Sequence, residues 1–372
     1  MACIFITTNY NDQSLSHYYR SLAQSLTERG HRLVLIVPGQ RHELVNHDTN
    51  PAIVTWPSAR PTKWRDALFL RSLIRRYQAD CIIGNFAALN LSMLVGALCG
   101  VTHRWAWYHT MSAQIDADHQ MPAWRRIFQR LRQRPIFRLA TALIANSTAS
   151  SKDAQQVYGI PADKCHALHF LLPEPPVHND GANAHSLICV GRLYPSKGQD
   201  TLIRALPHIR ARAPKVTVEF IGVGPEKQRY QALAETLGVS DCCHFAGSLP
   251  RNAVLAKMAA AAVCVTASRN EALGLVCIEA QSVGTPVVVS AIDGLAELVV
   301  EGETGFKVPA DQPAQFAERI STLLLDHDRR KSMGRRARQH FEENFSDRNF
   351  ARHADWFEQL LNRPPAQPER TL

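Results

Sequence analysis

Short apolar runs rich in β-branched residues recur along the chain at residues 3–6, 33–37, 80–83, 105–108 and 142–145. They return at 187–190, 216–221, 262–266 and 287–290, with a shorter one at 243–247. Runs of this length without polar alternation read as strands buried on both faces. Helical periodicity fills the intervals. In residues 14–29, Leu15, Leu22 and Leu26 fall at helical spacings before Gly30-His31 ends the pattern. Helices are likewise expected over 200–210, 275–282, 313–325, 328–344 and 348–361. Repeated strand-then-helix alternation implies an α/β fold with parallel doubly wound sheets, whose ligands lie at the carboxyl ends of the strands.

The 372 residues exceed one ordinary core, and roughly 150 residues per domain suggests two. Residues 172–185, rich in Pro, Asn, Gly and Ala, read as the linker, giving domains at 1–175 and 185–345 and a tail at 362–372. The net charge of +9 is uneven: residues 1–180 hold 19 Lys and Arg against 12 Asp and Glu, the remainder 23 against 21. The basic surface therefore belongs to the first half. Trp124, Ile127, Phe128 and Leu131 form an apolar stripe among Arg125, Arg126, Arg130, Arg132 and Arg134, and Arg60, Lys63, Arg65, Arg71, Arg75 and Arg76 form a second basic cluster. A helix of that kind over 124–134 can lie on an anionic membrane, and can equally pack on the sheet with a solvated arginine face. Neither cluster comes with a nucleic-acid recognition motif, so no nucleic acid is expected. Nine cysteines without zinc spacings, two of them adjacent at Cys242-Cys243, suit reduced thiols in a cytosol. With no leader pattern and no apolar run near ~18 residues, the protein is expected to be cytoplasmic, soluble or peripheral at the inner face of the cytoplasmic membrane.

Candidate chemistry concentrates in residues 262–290. Two strands flank a helix over 275–282, with Glu271 in the loop before it, Glu279 about two turns on, and Gly274 where a backbone can be approached closely. Helix-terminal amides at Gly274 and Leu275 favour an anion, while the two carboxylates would repel one. The combination makes sense if the amides take phosphate and the glutamates take neutral hydroxyls, as in a sugar nucleotide. Arg192 and Lys197, five residues apart in a strand-to-helix turn, add two cations for a diphosphate.

The spacing from Glu271 to Glu279, followed by Gly284-Thr285-Pro286-Val287-Val288, resembles the donor signature of retaining glycosyltransferases of family 4, the glycosyl transferases group 1, which have the GT-B fold. Val190-Gly191-Arg192-Leu193 with Lys197-Gly198, Phe220-Ile221-Gly222-Val223-Gly224-Pro225, and Gly294-Leu295-Ala296-Glu297-Leu298 agree. The resemblance implies two Rossmann-like domains facing across a cleft, with the C-terminal helix 348–361 returning to the first. It further implies that Glu271 orients the sugar, that Glu279 meets the ribose, that Ser248 and Leu249 lie beside the base, and that His109 faces the transferred sugar. The family's two glycines in the loop after the first strand are missing. Gln13 and Ser14 stand at those positions, so the side chains of Asn9, Asn11 or Ser14 must do that work, or the acceptor pocket differs. The family's Asn-Gly before the linker is likewise replaced, by His169-Phe170-Leu171-Leu172.

The expected activity is retaining transfer of a hexose-type sugar from a nucleoside diphosphate sugar to an acceptor hydroxyl. The donor's charge can be met by Arg192, Lys197 and amides, so no metal or other cofactor is required. A basic first domain points to an acceptor that is anionic or lipid-linked, as in synthesis of a surface polysaccharide or glycolipid. Three other readings compete. Glu271 and Glu279 could act as a hydrolytic pair, but neither has an evident apolar pocket to raise its pKa. A sugar-nucleotide epimerase and a non-catalytic sugar-nucleotide-binding relative stay open, and product analysis with and without acceptor separates them. Asp116-Ala117-Asp118 reads as a polar loop.

Overall fold

The computed structural model describes residues 1–11, 14–39, 42–119, 121–179, 181 and 183–364. Gln13 and most of the expected tail, residues 365–372, lie outside the described residues. The chain forms two compact units, one of residues 1–109, 121–171 and 347–372, the other of 110–120 and 172–346.

In the first unit, strands β1 (Cys3–Thr7), β2 (Arg32–Val37), β3 (Ala52–Thr55), β4 (Cys81–Gly84), β5 (His103–Tyr108), β6 (Ala142–Ala145) and β7 (Cys165–Ala167) make one parallel sheet in the order 3-2-1-4-5-6-7. Helices α1 (Ser14–Glu28), α2 (Trp64–Tyr77), α3 (Leu89–Leu98), α5 (Ala123–Arg138) and α6 (Thr148–Tyr158) connect the strands. Helix α4 (Ser112–His119) follows β5 in the chain but belongs to the second unit, a correction to a first domain running unbroken over 1–175. Its sequence, SAQIDADH, has no apolar stripe to betray a partner, and it packs on the short turn Pro195–Lys197.

The second unit runs β8 (Asn183–Val190), α7 (Gln199–Arg212), β9 (Thr217–Ile221), α8 (Lys227–Thr236), β10 (Cys243–Gly247), α9 (Arg251–Ala260), β11 (Ala261–Thr266), α10 (Leu275–Ser282), β12 (Val287–Ser290), α11 (Asp293–Glu297), β13 (Gly305–Val308), α12 (Pro313–Leu325) and α13 (His327–Asn344). Its parallel sheet has the order 10-9-8-11-12-13. In both sheets the direction of strand progression reverses once, between β1 and β4 and between β8 and β11. The chain leaves such a pair of neighbouring strands in opposite directions, which opens a crevice at their carboxyl ends.

The apolar runs behave as their composition requires: every residue of β1, β4, β6, β11 and β12 is buried. The short edge strands β3, β7 and β13 were not legible, because a three- or four-residue strand at a sheet edge, without a fully apolar run, carries too few side chains to make a period. The last helix, α14 (Phe350–Asn362), lies in the first unit against α1. Its Phe357 is fully buried, with ring centroids 5.7 Å from Trp105 and 6.1 Å from Trp107, two strand residues that are themselves fully buried. Replacing Phe357 by Ala removes an aromatic from a close-packed site, and a loss of about 3–5 kcal/mol in urea unfolding is expected. A loss below ~1 kcal/mol would mean that α14 contributes little to the first unit.

Candidate active site

At the crevice of the second unit, four loops touch backbone to backbone. A Cβ at Gly198 would lie 2.0 Å from the Ala267 carbonyl oxygen, at Gly222 2.0 Å from that of Gly191, at Gly224 2.2 Å from that of Leu193, and at Gly294 2.2 Å from that of Ala272. Those contacts join the loops after β8, β9, β11 and β12. Gly198, with φ of +60°, also caps the turn Pro195–Lys197 and starts α7.

Within this frame Lys197 Nζ donates to Glu271 Oε2 at 2.5 Å, with both side chains mostly buried, and Ser268 Oγ donates to the same oxygen at 3.3 Å. The two residues expected at the diphosphate and the sugar are therefore in contact. Gly274, with φ of +97°, caps α10 and has no room for a Cβ, which would meet Leu295 Cδ2 at 2.4 Å. The amides of Gly274 and Leu275 have no acceptor inside α10, whereas Cys277 already donates to the Gly274 carbonyl at 2.9 Å. Arg192 donates to Asp118 of α4 at 3.0 Å and lies over the Tyr194 ring at 4.7 Å. Asp118 is thus no member of a polar loop: its side chain is buried, in a helix, and holds a candidate donor cation. Glu279 faces Arg251 Nε at 3.5 Å. Ser248 and Leu249 follow β10 just before Arg251, Ser248 exposed and Leu249 half-buried.

Three supporting residues escaped the sequence reading. Arg269 donates to both carboxylate oxygens of Asp200, to Asp311 and to the Pro195 carbonyl, and its backbone N–H donates to the Ser196 carbonyl at 2.7 Å. Burial works to lower its pKa, but hydrogen bonds to Asp200 and Asp311 outweigh it, so the guanidinium stays charged. Gln199, fully buried, donates to the Arg192 carbonyl at 3.0 Å. Arg251 opens α9, where a cation opposes the helix dipole, and that local misfit was the one signal that it needed a carboxylate nearby.

In the first unit, His109 follows β5 and stacks on Phe86, with centroids 4.4 Å apart and an interplanar angle of 8°. Phe86 holds φ of +50°, a left-handed conformation rare for a bulky residue, and the same strained turn exposes the flanking Asn85 to the ring. The Asn85 amide nitrogen donates to the Thr7 carbonyl at 2.8 Å, which turns its Oδ1 toward Tyr19 OH at 2.8 Å and His109 Nε2 at 2.9 Å. An acceptor at that point assigns the proton to Nε2. Nδ1 is left as a buried lone pair with no partner among the described residues. Thr7, Tyr19, Asn85 and Phe86 carry no motif and were not legible.

The replaced glycine loop is taken up with starting α1. Asn11 Oδ1 accepts from Ser16 Oγ at 2.7 Å, its carbonyl accepts from Arg20 at 3.0 Å, and Ser14 is buried as the first helical residue. Asn9 is exposed, its carbonyl accepting from Thr8 Oγ1 at 3.1 Å.

Two parallel doubly wound units of this kind define the GT-B class. Sucrose-phosphate synthase from Thermosynechococcus elongatus superposes with a TM-score of 0.79 at 20% identity, over 97% of this chain and 99% of that one. The model for glycosyltransferase family 4 matches residues 15–169 and that for glycosyl transferases group 1 matches residues 175–340. The chain belongs to the glycosyltransferase family that these two models describe. It is similar to a D-inositol 3-phosphate glycosyltransferase of Corynebacterium efficiens, 38% identical over 42% of this chain and 38% of that protein. It is also similar to a GDP-mannose-dependent alpha-(1-6)-phosphatidylinositol monomannoside mannosyltransferase of Mycolicibacterium smegmatis, 36% identical over 40% of this chain and 41% of that protein. Both matches span about two fifths of the relative's length.

Burial pushes the His109 pKa down to about 3, from an ordinary value of 6.5. The folded ring stays neutral where the unfolded one takes up a proton, so this contribution is complete above the unfolded pKa and is lost as pH falls toward the folded one. His353, lowered to about 4 by burial and by His169, acts with the same sign. Between about pH 6 and 4.5, His109→Gln should lose stability less steeply than wild type, by about 1.4 kcal/mol per pH unit, in urea titrations at each pH. Parallel slopes would show that the ring is not held neutral.

Proposed function

We propose that this protein is a retaining glycosyltransferase that moves a hexose-type sugar from a nucleoside diphosphate to an acceptor hydroxyl. The observation that carries the reading is the Lys197–Glu271 pair, set at the crevice between β8 and β11 beside the free amides of α10. As the bond to the anomeric carbon breaks, negative charge grows on the departing diphosphate. Lys197, Arg192 and the amides of Gly274 and Leu275 are the groups to stabilise it, and no metal is needed in this scheme. Glu271 orients sugar hydroxyls, Glu279 the ribose, and Ser248 and Leu249 border the base. In the first unit His109, its ring held neutral and its Nδ1 without a partner among the described residues, is a candidate to accept a hydrogen bond from a sugar hydroxyl, and Asn9, Asn11 and, at the start of α1, Ser14 are the acceptor-side candidates. Retention belongs to this reading through the resemblance of the donor signature, and a product of inverted anomeric configuration would overturn it. Replacing Lys197 by Ala should lower turnover about 100-fold, measured with nucleoside diphosphate sugars and an acceptor, if Lys197 stabilises developing charge as such donors do. Wild-type turnover would remove the assignment, and sugar conversion without acceptor would favour an epimerase.

The acceptor is anionic or membrane-borne in this reading, and the support is a surface. The stripe on α5 does not pack on the sheet: Trp124, Ile127, Phe128 and Leu131 are 69%, 57%, 62% and 54% exposed. Helices α2 and α3 adjoin each other and α3 adjoins α5, and they add exposed Trp64, Leu68, Leu94 and Leu98. Solvated apolar side chains on three neighbouring helices, interspersed with arginines, fit the interface of an anionic bilayer. Among the described residues no helix is long and apolar enough to cross a membrane. All nine cysteines are free, in keeping with work on the cytoplasmic face. The names of the two relatives, an inositol phosphate and a phosphatidylinositol mannoside glycosyltransferase, agree with an anionic acceptor. Each basic residue near such a surface is worth about 1 kcal/mol at low salt. Wild type should sediment with vesicles containing anionic lipid and not with neutral ones, and changing Arg125, Arg126, Arg130 and Arg132 to Gln should weaken this by tenfold or more. Equal binding to both vesicle types would leave a soluble acceptor.

A further inference from the structure

A cavity of about 750 Å³ opens in the second unit between the segment before β8, the turn joining α10 to β12, and one face of α13. That volume lies within the usual range for a small-molecule site, about 300–1,000 Å³. It lies at the other end of the sheet from the donor loops. Asn179, on its wall, donates from its backbone to the Val283 carbonyl at 2.8 Å and from its side chain to the Ala261 carbonyl at 3.3 Å. Ala261 begins β11 and Pro286 immediately precedes β12, whereas Lys197 and Glu271 sit past the strands' carboxyl ends.

The wall formed by α13 is cationic. Lys331, Arg335 and Arg338 recur at i, i+4 and i+7, hence on one face, and Arg330 adds a fourth charge. Like charges four residues apart weaken a helix rather than support it. Some of these charges are answered: Arg336, off that face, pairs with Glu303, and on the wall itself Arg338 pairs with Glu174 and with Glu342, which also lines the cavity. Lys331 and Arg335 have no carboxylate partner among the described residues, although both line the cavity. Arg330 is 6% exposed and makes no ion pair among the described residues. It donates to the Leu323 and Leu324 carbonyls and contacts His327 Nδ1 at 3.0 Å. Burial lowers its pKa, opposed only by the charge of Asp326, so the cation is kept at a cost. The opposite wall approaches closely. A Cβ at Gly334 would lie 2.3 Å from the Gly284 carbonyl oxygen, which fixes the turn against α13 between Arg330 and Arg338.

We infer that this cavity is a binding site for a small phosphorylated molecule of sugar-phosphate size, held by Lys331 and Arg335 over the buried Arg330 and separate from the donor site. The one carboxylate in the lining, Glu342, is taken by Arg338, so a phosphate dianion supplies the counter-charge that Lys331 and Arg335 lack, and His178 and the Asn179 amide oxygen offer polar groups for the remainder of the molecule. The site stands whether or not the transferase reading does.

Thermal unfolding of the full chain is followed against inorganic phosphate and, separately, glucose 6-phosphate, with ionic strength held constant by chloride. Three proteins are compared: wild type, the Lys331→Gln, Arg335→Gln double variant, and Lys197→Ala. Saturable stabilisation is expected in wild type and in Lys197→Ala, with the apparent dissociation constant weakened about tenfold or more in the double variant. Because the double variant relieves like-charge repulsion, it should fold, and its unfolding without phosphate checks that directly. The inference is overturned if neither anion stabilises saturably, which would leave a solvated basic face. It is overturned equally if the double variant responds like wild type, or if Lys197→Ala alone abolishes the response, which would place the anion at the donor loops.

Discussion

The contacts on which the second unit's site depends are carbonyl oxygens lying where a side chain would otherwise begin. Ala267, Gly191, Leu193 and Ala272 each present a backbone oxygen to a facing glycine at a distance no Cβ could occupy. Four loops from four strands are thereby locked at backbone resolution. Side chains rotate among staggered wells, but a backbone-to-backbone contact has no such freedom, so the positions of Lys197, Glu271 and the α10 amides are set before any ligand arrives. Arg269 reinforces the lock by joining the loop after β11 to the turn Pro195–Lys197 and to Asp200 at the start of α7.

This lock also explains what the sequence could and could not show. Glycines at 198, 222, 224 and 294 are visible as letters, and their order among short apolar runs is enough to mark one strand-end site. The lock's partners are carbonyls, which every residue has, so no letter announces them. Arg269 reads as a charged loop residue until Asp200 and Asp311 are brought beside it from 69 and 42 residues away. The same holds in the first unit. His109 stands out at a strand end, but Tyr19 belongs to a helix whose periodicity already accounts for it, and Asn85 lies in a turn without a signature. Periodicity reports which face of an element is buried, not which polar atom on that face meets another.

The stripe on α5 shows the converse. The letters gave an amphipathic helix with two equally good burials, against the sheet or against a membrane, and nothing local chose between them. In the structure most of that apolar face is not packed on the sheet but lies in solvent beside similar residues on α2 and α3, while Phe137 enters the core and Ile136 packs against it. Amphipathicity is a property of one helix. What covers the apolar side is a property of its neighbours.

Charge at the candidate donor site is balanced pair by pair. Arg192 is held by Asp118, Lys197 by Glu271 and Arg251 by Glu279. Three cations gathered for an anionic ligand would repel one another in the free protein and swing into water, since long cationic side chains have many rotamers to recover. A carboxylate opposite each one removes the repulsion and fixes the side chain. A diphosphate, with more than one negative charge and several acceptor oxygens, competes favourably with a single carboxylate for the same donors. A carboxylate so displaced is left with free acceptor oxygens, and a sugar supplies the matching donors in its hydroxyls. Under the proposed function Glu271 and Glu279 would serve in two successive roles, first placing the cations and then receiving hydroxyls. This accounts for carboxylates standing beside a helix N-terminus that on its own would favour only anions.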